Sequence, residues 1–168
     1  VAFGTFAAFS PSVNSDVNLK SNVRNIGSEL KTKVKPGTLV IVGQPEQVPL
    51  VWYYLPGGMR WADSMGPTSD PRMLNWVDVV DRLRNTDPKA AWAKLSGTVP
   101  VGGQVLLVRP LTVGISNWSA PWTFLVRHRS AQWSAALRDD PRFKREASAP
   151  SFYIPASTVA DSAVLYRR

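Results

Sequence analysis

Residues that could carry out catalysis are few in this sequence. The single histidine, His128, could act as a general base, and Ser130 follows it by two residues. Side chains two residues apart on a helix point to different faces, so these two cannot form a base and nucleophile pair. Asp78 and Asp81 are close enough on a predicted helix to share a site, but Arg82 is placed to pair with Asp78. No residue is therefore assigned a catalytic role.

A nucleotide site receives little support from the spacing of glycines and acids. Asp63 lies twenty residues after Gly43, which is close to the interval between the phosphate turn and the ribose-binding acid of a dinucleotide fold. The glycine-rich fingerprint itself is missing, because Gln44 and Pro45 follow Gly43. Gly102 and Gly103 do not supply it, since they precede a predicted strand.

Tryptophan is unusually frequent, with seven residues in a chain of 168. Exposed indole rings beside polar groups are a common means of holding sugars. Five of the seven fall on predicted helices among apolar neighbours, which favours a place in the core: Trp52, Trp76, Trp92, Trp122 and Trp133. Trp61 and Trp118 fall in loops or at strand ends and are the better candidates for an exposed platform.

Two apolar runs predict the strands that would position such a site. Thr38–Gly43 and Gln104–Leu111 are continuous and rich in branched residues, as is typical of strands buried on both faces of a parallel sheet. A helical connection separates them, so we expect neighbouring or nearly neighbouring parallel strands. Weaker alternation over 142–148 and 163–167 indicates two late antiparallel strands at one edge of the sheet.

Helical periodicity fills the intervals between these strands. Capping residues and apolar spacing predict helices over 15–33, after Gln44, over 74–83, from Pro88 to Leu95, and from Pro121 to about Arg138. The alternation of helix and strand predicts an α/β fold, a three-layer sandwich with a mainly parallel, Rossmann-like sheet and antiparallel strands at the C-terminal edge.

Ligands of open α/β sheets usually bind beyond the carboxyl ends of the strands. In this chain, Gln44, Glu46, Asp63 and Arg109 follow or end predicted strands and offer hydrogen-bonding groups there. Trp61 or Trp118 could stack on a sugar face beside them. These six residues form the ligand-binding site that the sequence predicts.

Composition excludes several other classes of function. The chain has no cysteine, one histidine and few closely spaced acids, so we expect no metal and no cofactor. The net charge of +8 suits an anionic partner. The densest basic cluster, over 138–145, is interrupted by Asp139 and Asp140 and is followed by Glu146, so nucleic acid is not the expected partner.

The N-terminal stretch differs from the remainder of the chain. Val1–Phe9 is apolar, and no methionine precedes it. Either a signal segment has been removed, or this stretch is the outer end of a transmembrane helix. We expect residues 1–14 to form an edge that follows such a helix, and residues 15–168 to form a single α/β domain.

Several sequence strings together resemble a known family. They are Gly43–Pro49, Trp52–Leu55, Asn75–Leu83, Val105–Pro110, Ala120–Thr123 and Leu125–Arg127. In this combination they resemble the soluble domain that follows the last transmembrane helix in actinobacterial membrane glycosyltransferases of the GT-C type. The resemblance covers most of residues 15–145.

The resemblance implies a parent enzyme that transfers a sugar from a polyprenyl-phosphate donor to a cell-envelope glycan or glycolipid. The catalytic aspartate of that family lies in an early extracytoplasmic loop, outside this chain. The domain would lie on the extracytoplasmic face of the membrane, against the transmembrane part of its own parent chain, and would bind acceptor glycan or a lipid-linked phosphate. Two alternatives stay open, a free-standing α/β enzyme acting on a small nucleotide or sugar, and a protein-interaction module without ligand.

Overall fold

The computed structural model of the protein describes residues 21–111, 120–150 and 160–168. Within these ranges lie five α-helices: α1 (Val23–Leu30), α2 (Val48–Tyr54), α3 (Val79–Asn85), α4 (Pro88–Gly97) and α5 (Pro121–Arg138). A 3-10 turn, Pro45–Gln47, leads into α2. The same ranges contain six strands: β1 (Leu39–Val42), β2 (Arg60–Asp63), β3 (Gly66–Pro67), β4 (Gln104–Pro110), β5 (Lys144–Ala149) and β6 (Asp161–Arg167).

The described strands form one six-stranded sheet in the order β3-β2-β1-β4-β6-β5, which confirms the α/β class. β1 pairs in parallel with both β2 and β4. The remaining pairs, β2 with β3, β4 with β6, and β5 with β6, are antiparallel. The sheet is therefore mixed, and the prediction of a mainly parallel sheet was wrong.

The mixed character has two physical causes. The turn at Ser64 and Met65 is too short for a crossover, so β3 can only return antiparallel to β2. The crossover through α5 places β5 two positions from β4, and β6 lies between them, antiparallel to both. The predicted antiparallel pairing of the two C-terminal strands is confirmed, with β5 at the edge.

The centre of the sheet is the pair β1 and β4, as the two apolar runs predicted. Leu39 faces Val105 and Val42 faces Val108 in a parallel register. Every residue of β1 is buried, and in β4 only Arg109 is exposed. The two strands thus supply a continuous apolar layer to which the helices attach.

Two apolar clusters lie on opposite faces of this sheet, because they take alternate residues of β1. The first cluster joins Val40 and Val42 to buried side chains of α1 and α2. The second joins Leu39 and Ile41 to buried side chains of α4 and α5. The chain therefore packs α2, which follows β1, and α5, which follows β4, against different faces.

Some predicted helices are shorter than expected. Of the helix predicted over 15–33, the structure describes α1, and Leu19 with the residues before it lies outside the described ranges. The helix predicted over 74–83 begins only at Val79. Asp78 adopts a left-handed backbone with φ 48°, and the Asn75 side chain accepts a hydrogen bond from the Val77 N–H. These local turns hold the chain out of the helix before Val79.

No helix within the described parts of the chain is both long and apolar enough to cross a membrane.

The contact between α1 and α2 yields a prediction about stability. A Cβ atom at Gly27 would lie 2.7 Å from Tyr54 Cβ and 2.8 Å from Tyr54 O. The Gly27→Ala substitution should therefore force the two helices apart and lower the free energy of unfolding by about 1–3 kcal/mol, the usual cost of overpacking. Urea denaturation followed by circular dichroism measures this change.

A matched control is Gly97→Ala at the end of α4, where a Cβ would meet no atom within 4 Å. We expect this variant to be neutral or stabilised by up to about 1 kcal/mol, since alanine favours the helix. Equal stabilities for the two variants would contradict the close approach of α1 and α2.

Candidate functional site

The candidate site lies where the parallel strands end. Val42 of β1 and Val108 of β4 are paired, and the register of β4 with β6 places Pro110 opposite Asp161. The ends of β1 and β4 and the start of β6 therefore share one edge of the sheet, which we call the carboxyl edge. The chain leaves β1 and β4 toward opposite faces, so this edge contains a switch point of the kind where α/β proteins bind ligands.

The backbone at Gly43 closes the crevice between β1 and β4. Its N–H donates to the Val108 carbonyl at 2.7 Å, and its carbonyl accepts from the hydroxyls of Ser130, at 3.0 Å, and Ser64. A Cβ atom at Gly43 would lie 2.5 Å from Ser130 Oγ. Close approach of α5 therefore requires this glycine, and its N–H is already bonded within the fold.

Glu46 is the centre of a polar and aromatic group on the carboxyl edge. Its Oε1 atom accepts hydrogen bonds from Gln44 Nε2 at 3.1 Å and from the Trp122 indole N–H at 2.9 Å. The Trp122 ring centroid lies 5.9 Å from that of Trp76, with a tilt of 52°. Trp76 is 58% exposed. We call Gln44, Glu46, Trp76 and Trp122 the tryptophan–glutamate cluster.

Several buried oxygen atoms, some of them in this cluster, accept no hydrogen bond from the described part of the chain. Gln44 Oε1, Glu46 Oε2, Gln47 Oε1 and both carboxylate oxygens of Asp161 are buried and have no hydrogen-bond partner among the described residues. An unpartnered buried acceptor costs about 1–3 kcal/mol. Such oxygens suit a ligand that carries hydroxyl or amine donors.

Asp161 is the most enclosed of these groups. Asn22 donates to its backbone carbonyl and accepts from its backbone N–H, both at 2.7 Å, so the start of β6 is fixed against the segment before α1. Burial raises the pKa of Asp161 to about 7, and the charge of Glu46 contributes to the increase. Near neutral pH this carboxyl group can therefore donate a hydrogen bond as well as accept one.

Asp63 lines a cavity that does not include Glu46. Burial raises the pKa of Asp63. A hydrogen bond from the Met65 N–H to Asp63 Oδ1, at 2.7 Å, and the positive charge of Arg82 both act to lower it. The cavity, of about 320 Å³, is formed by the turn after β2 and by residues before α3, among them Thr68 and Asn75. The structure therefore does not join Asp63 to the tryptophan–glutamate cluster.

Arg109 lies on the α5 face of the sheet and bonds to serines of β6 and α5. Its guanidinium donates to the hydroxyls of Ser162 and Ser134, both at 3.2 Å. Of the predicted site residues, the structure thus brings together Gln44 and Glu46, and it places Asp63 and Arg109 in separate surroundings.

The aromatic platform differs from the one predicted. Trp61 lies within β2, half-buried against the first apolar cluster, so it is not an exposed ring. Trp118 lies outside the described residues. Trp92 and Trp133 are buried as predicted, whereas Trp76 and Trp52 are exposed. Asn75 and Asp78 lie on either side of Trp76 and favour turns. They could have indicated that Trp76 precedes the helix, but its helical spacing with later apolar residues favoured the opposite prediction.

A cavity of about 740 Å³ lies elsewhere, between α4 and α5. Several of its polar groups already have hydrogen-bond partners. Asp140 pairs with Arg142 at 2.7 Å and accepts from the Trp92 indole at 3.0 Å, while Asp87 caps α4 through the Lys89 N–H. The carboxyl edge, with its unpartnered oxygens, is therefore the better candidate site.

No group of three or more metal-ligating side chains occurs in the described ranges. Comparison of the chain with protein-family models, with curated proteins and with solved structures found no match.

The burial of Asp161 predicts how stability depends on pH. The unfolded chain ionises this residue near its ordinary pKa of 3.8, whereas the folded chain does so near 7. Between these values the folded state binds more protons, so the free energy of unfolding should fall as pH rises, by up to about 1.4 kcal/mol per pH unit. Asp161→Asn has no proton to release and should reduce this slope, measured by urea denaturation from about pH 4.5 to about 7.5.

Asp70→Asn is the control for this measurement. The Arg72 side chain holds the pKa of Asp70 at about 2, so this group ionises below the chosen range and its removal should leave the slope unchanged. The pKa of Asp63 is also raised by burial, so Asp63 should contribute to the slope that Asp161→Asn retains. If the slope in Asp161→Asn is the same as in the original chain, Asp161 ionises near its ordinary pKa in the folded state and the prediction is wrong.

Proposed function

We propose that this chain is a non-catalytic domain that binds acceptor glycan on behalf of a membrane glycosyltransferase of cell-envelope synthesis. The observation that carries the proposal is the exposed Trp76 ring. It packs on Trp122, whose indole N–H is bonded to Glu46.

The chemistry of a sugar fits this arrangement. A pyranose or furanose ring offers an apolar face of C–H groups, which an exposed indole can cover, and a rim of hydroxyl donors. Glu46 Oε2 and Gln44 Oε1 are acceptors without partners among the described residues. Trp122 is fixed by its bond to Glu46, so the platform is held before a ligand arrives.

The strings that carry the family resemblance coincide with this cluster. Gly43–Pro49 supplies Gln44 and Glu46, Asn75–Leu83 supplies Trp76, and Ala120–Thr123 supplies Trp122. This coincidence supports the proposal of a GT-C type parent and an extracytoplasmic place. Helices on both faces of the sheet support a three-layer, Rossmann-like architecture as the finer description of the fold.

A second candidate function is packing on the membrane part of the parent enzyme. Trp52 and Tyr53 on α2 are 41% and 72% exposed, and aromatic rings of this kind are enriched where proteins meet the membrane interface. The alternative of a free-standing enzyme acting on a nucleotide has less support, because the Gly43 N–H is bonded to Val108.

Glycan binding is tested by titrating mannan, arabinan and galactan oligosaccharides into the isotope-labelled chain while the indole N–H signals are followed by NMR. A shallow site of this kind should bind near the millimolar range, about −4 kcal/mol. Trp76→Ala should weaken binding by about tenfold, since one aromatic contact contributes up to about 1.5 kcal/mol.

The matched control is Trp52→Ala, which removes an exposed indole from α2 and should leave the affinity unchanged. Glu46→Gln keeps the shape of the side chain and should weaken binding less than Trp76→Ala does. If no indole signal moves at millimolar sugar, glycan binding is rejected and the packing function remains.

A further inference from the structure

A second polar site lies on the α5 face of the carboxyl edge. It is a cavity of about 130 Å³ between β4, β6 and α5, against roughly 30 Å³ for one water molecule in the liquid. Its polar lining residues are Arg109, Arg127, Ser130, Ser134 and Ser162. No acidic residue occurs in this lining.

The spacing of residues along α5 creates the cavity. Residues 130 and 131 each lie three or four positions from residues 127 and 134, so the four share one face of the helix. Three of these positions carry serine or alanine, so the helix is narrow where it passes the ends of β4 and β6. Arg127 begins this stripe, and Arg109 meets it from the sheet through its bond to Ser134.

The cavity has donors to offer. Arg127 Nε is buried and has no acceptor among the described residues. The Ser162 hydroxyl accepts from Arg109 Nε, which leaves its own proton available. Ser130 and Ser134 donate to the carbonyls of Gly43 and Ser130, so they contribute acceptors and shape.

The positive charge of this cavity is not neutralised by the described chain. The ion pairs found in the described ranges involve other arginines, namely Arg72, Arg84, Arg138, Arg142 and Arg167. Asp161 precedes Ser162, but successive side chains of a strand point to opposite faces. Ala163 packs in the first apolar cluster and Val164 against the second, so Asp161 shares the face of α1 and Ser162 that of α5.

We propose that Arg109 and Arg127 form a binding site for a phosphate group. Two guanidinium forks and a hydroxyl supply more donors than the two oxygens of a carboxylate use, whereas a phosphate presents three or more oxygens. The phosphate could belong to a soluble sugar phosphate or to a lipid headgroup. The proposal does not depend on glycan binding, because inorganic phosphate carries no sugar.

The test uses the full chain labelled with nitrogen-15 and follows the arginine Nε–H signals by NMR. Inorganic phosphate, glucose 1-phosphate and acetate are titrated at low salt. We expect the Arg127 signal, identified by its loss in Arg127→Gln, to shift with both phosphates and to shift less with acetate. Arg127→Gln should weaken phosphate binding at least tenfold, the effect of one lost charge-assisted hydrogen bond.

Arg24→Gln is the matched control, because it removes one positive charge from an exposed position of α1. Its affinity for phosphate should stay within about twofold of the original chain, as expected for a single screened surface charge. Should Arg127→Gln not fold, Arg109→Gln takes its place, since Arg109 is exposed and its loss should be tolerated.

Vesicles of phosphatidic acid, whose headgroup is a phosphate monoester, in phosphatidylcholine distinguish the two sources of phosphate. Sedimentation with these vesicles that is lost in Arg127→Gln and kept in Arg24→Gln indicates a lipid headgroup, and binding of glucose 1-phosphate alone indicates a soluble ester. The proposal is overturned if neither phosphate shifts the Arg127 signal at tens of millimolar and the vesicles do not distinguish the variants. It is also overturned if Arg24→Gln loses as much affinity as Arg127→Gln.

Discussion

The parallel pairing of β1 with β4 is the constraint on which the other features of this molecule depend. Because both strands are buried on both faces, apolar helices must cover each side, and the chain leaves the two strands in opposite directions. The crevice at their ends follows from that divergence. The hydroxyl of Ser130 fills this crevice by donating to the Gly43 carbonyl. Asp161 and Ser162, at the start of β6, lie on opposite faces of the sheet.

The sequence predicted those parts of the fold in which local pattern and tertiary burial agree. The runs at Thr38–Gly43 and Gln104–Leu111 are continuously apolar over Leu39–Val42 and Val105–Val108 because both faces of the sheet are covered there. Helix α5 was predicted with its observed limits, since Pro121 fixes the start and the apolar spacing persists to Leu137. Gln44 and Glu46 were identified for the same reason, as they follow the clearest strand.

The sequence could not show which aromatic rings would face solvent. Trp76 has helical spacing with Val79 and Leu83, but a left-handed residue at Asp78 and a side-chain turn at Asn75 remove it from the helix. Trp61 shows the opposite error, because it was predicted to be exposed and is half-buried. Its strand runs beside β1, and its ring packs against residues that are distant in sequence. The position of β6 between β4 and β5 was equally hidden, because strand order depends on long-range pairing that leaves no periodic signal.

The cost of the polar groups at the carboxyl edge argues that stability alone did not place them there. Asp161 is fully enclosed, its carboxylate has no partner among the described residues, and it lies near a second acid, Glu46. An apolar residue of similar size would avoid the cost of burying a polar group without a hydrogen-bond partner, about 1–3 kcal/mol. On the other face, Arg127 keeps a buried donor without an acceptor. Unmatched acceptors on one side of a sheet edge and unmatched donors on the other are complementary to a ligand that carries both hydroxyls and an anionic group, and a phosphorylated or lipid-linked sugar has that composition.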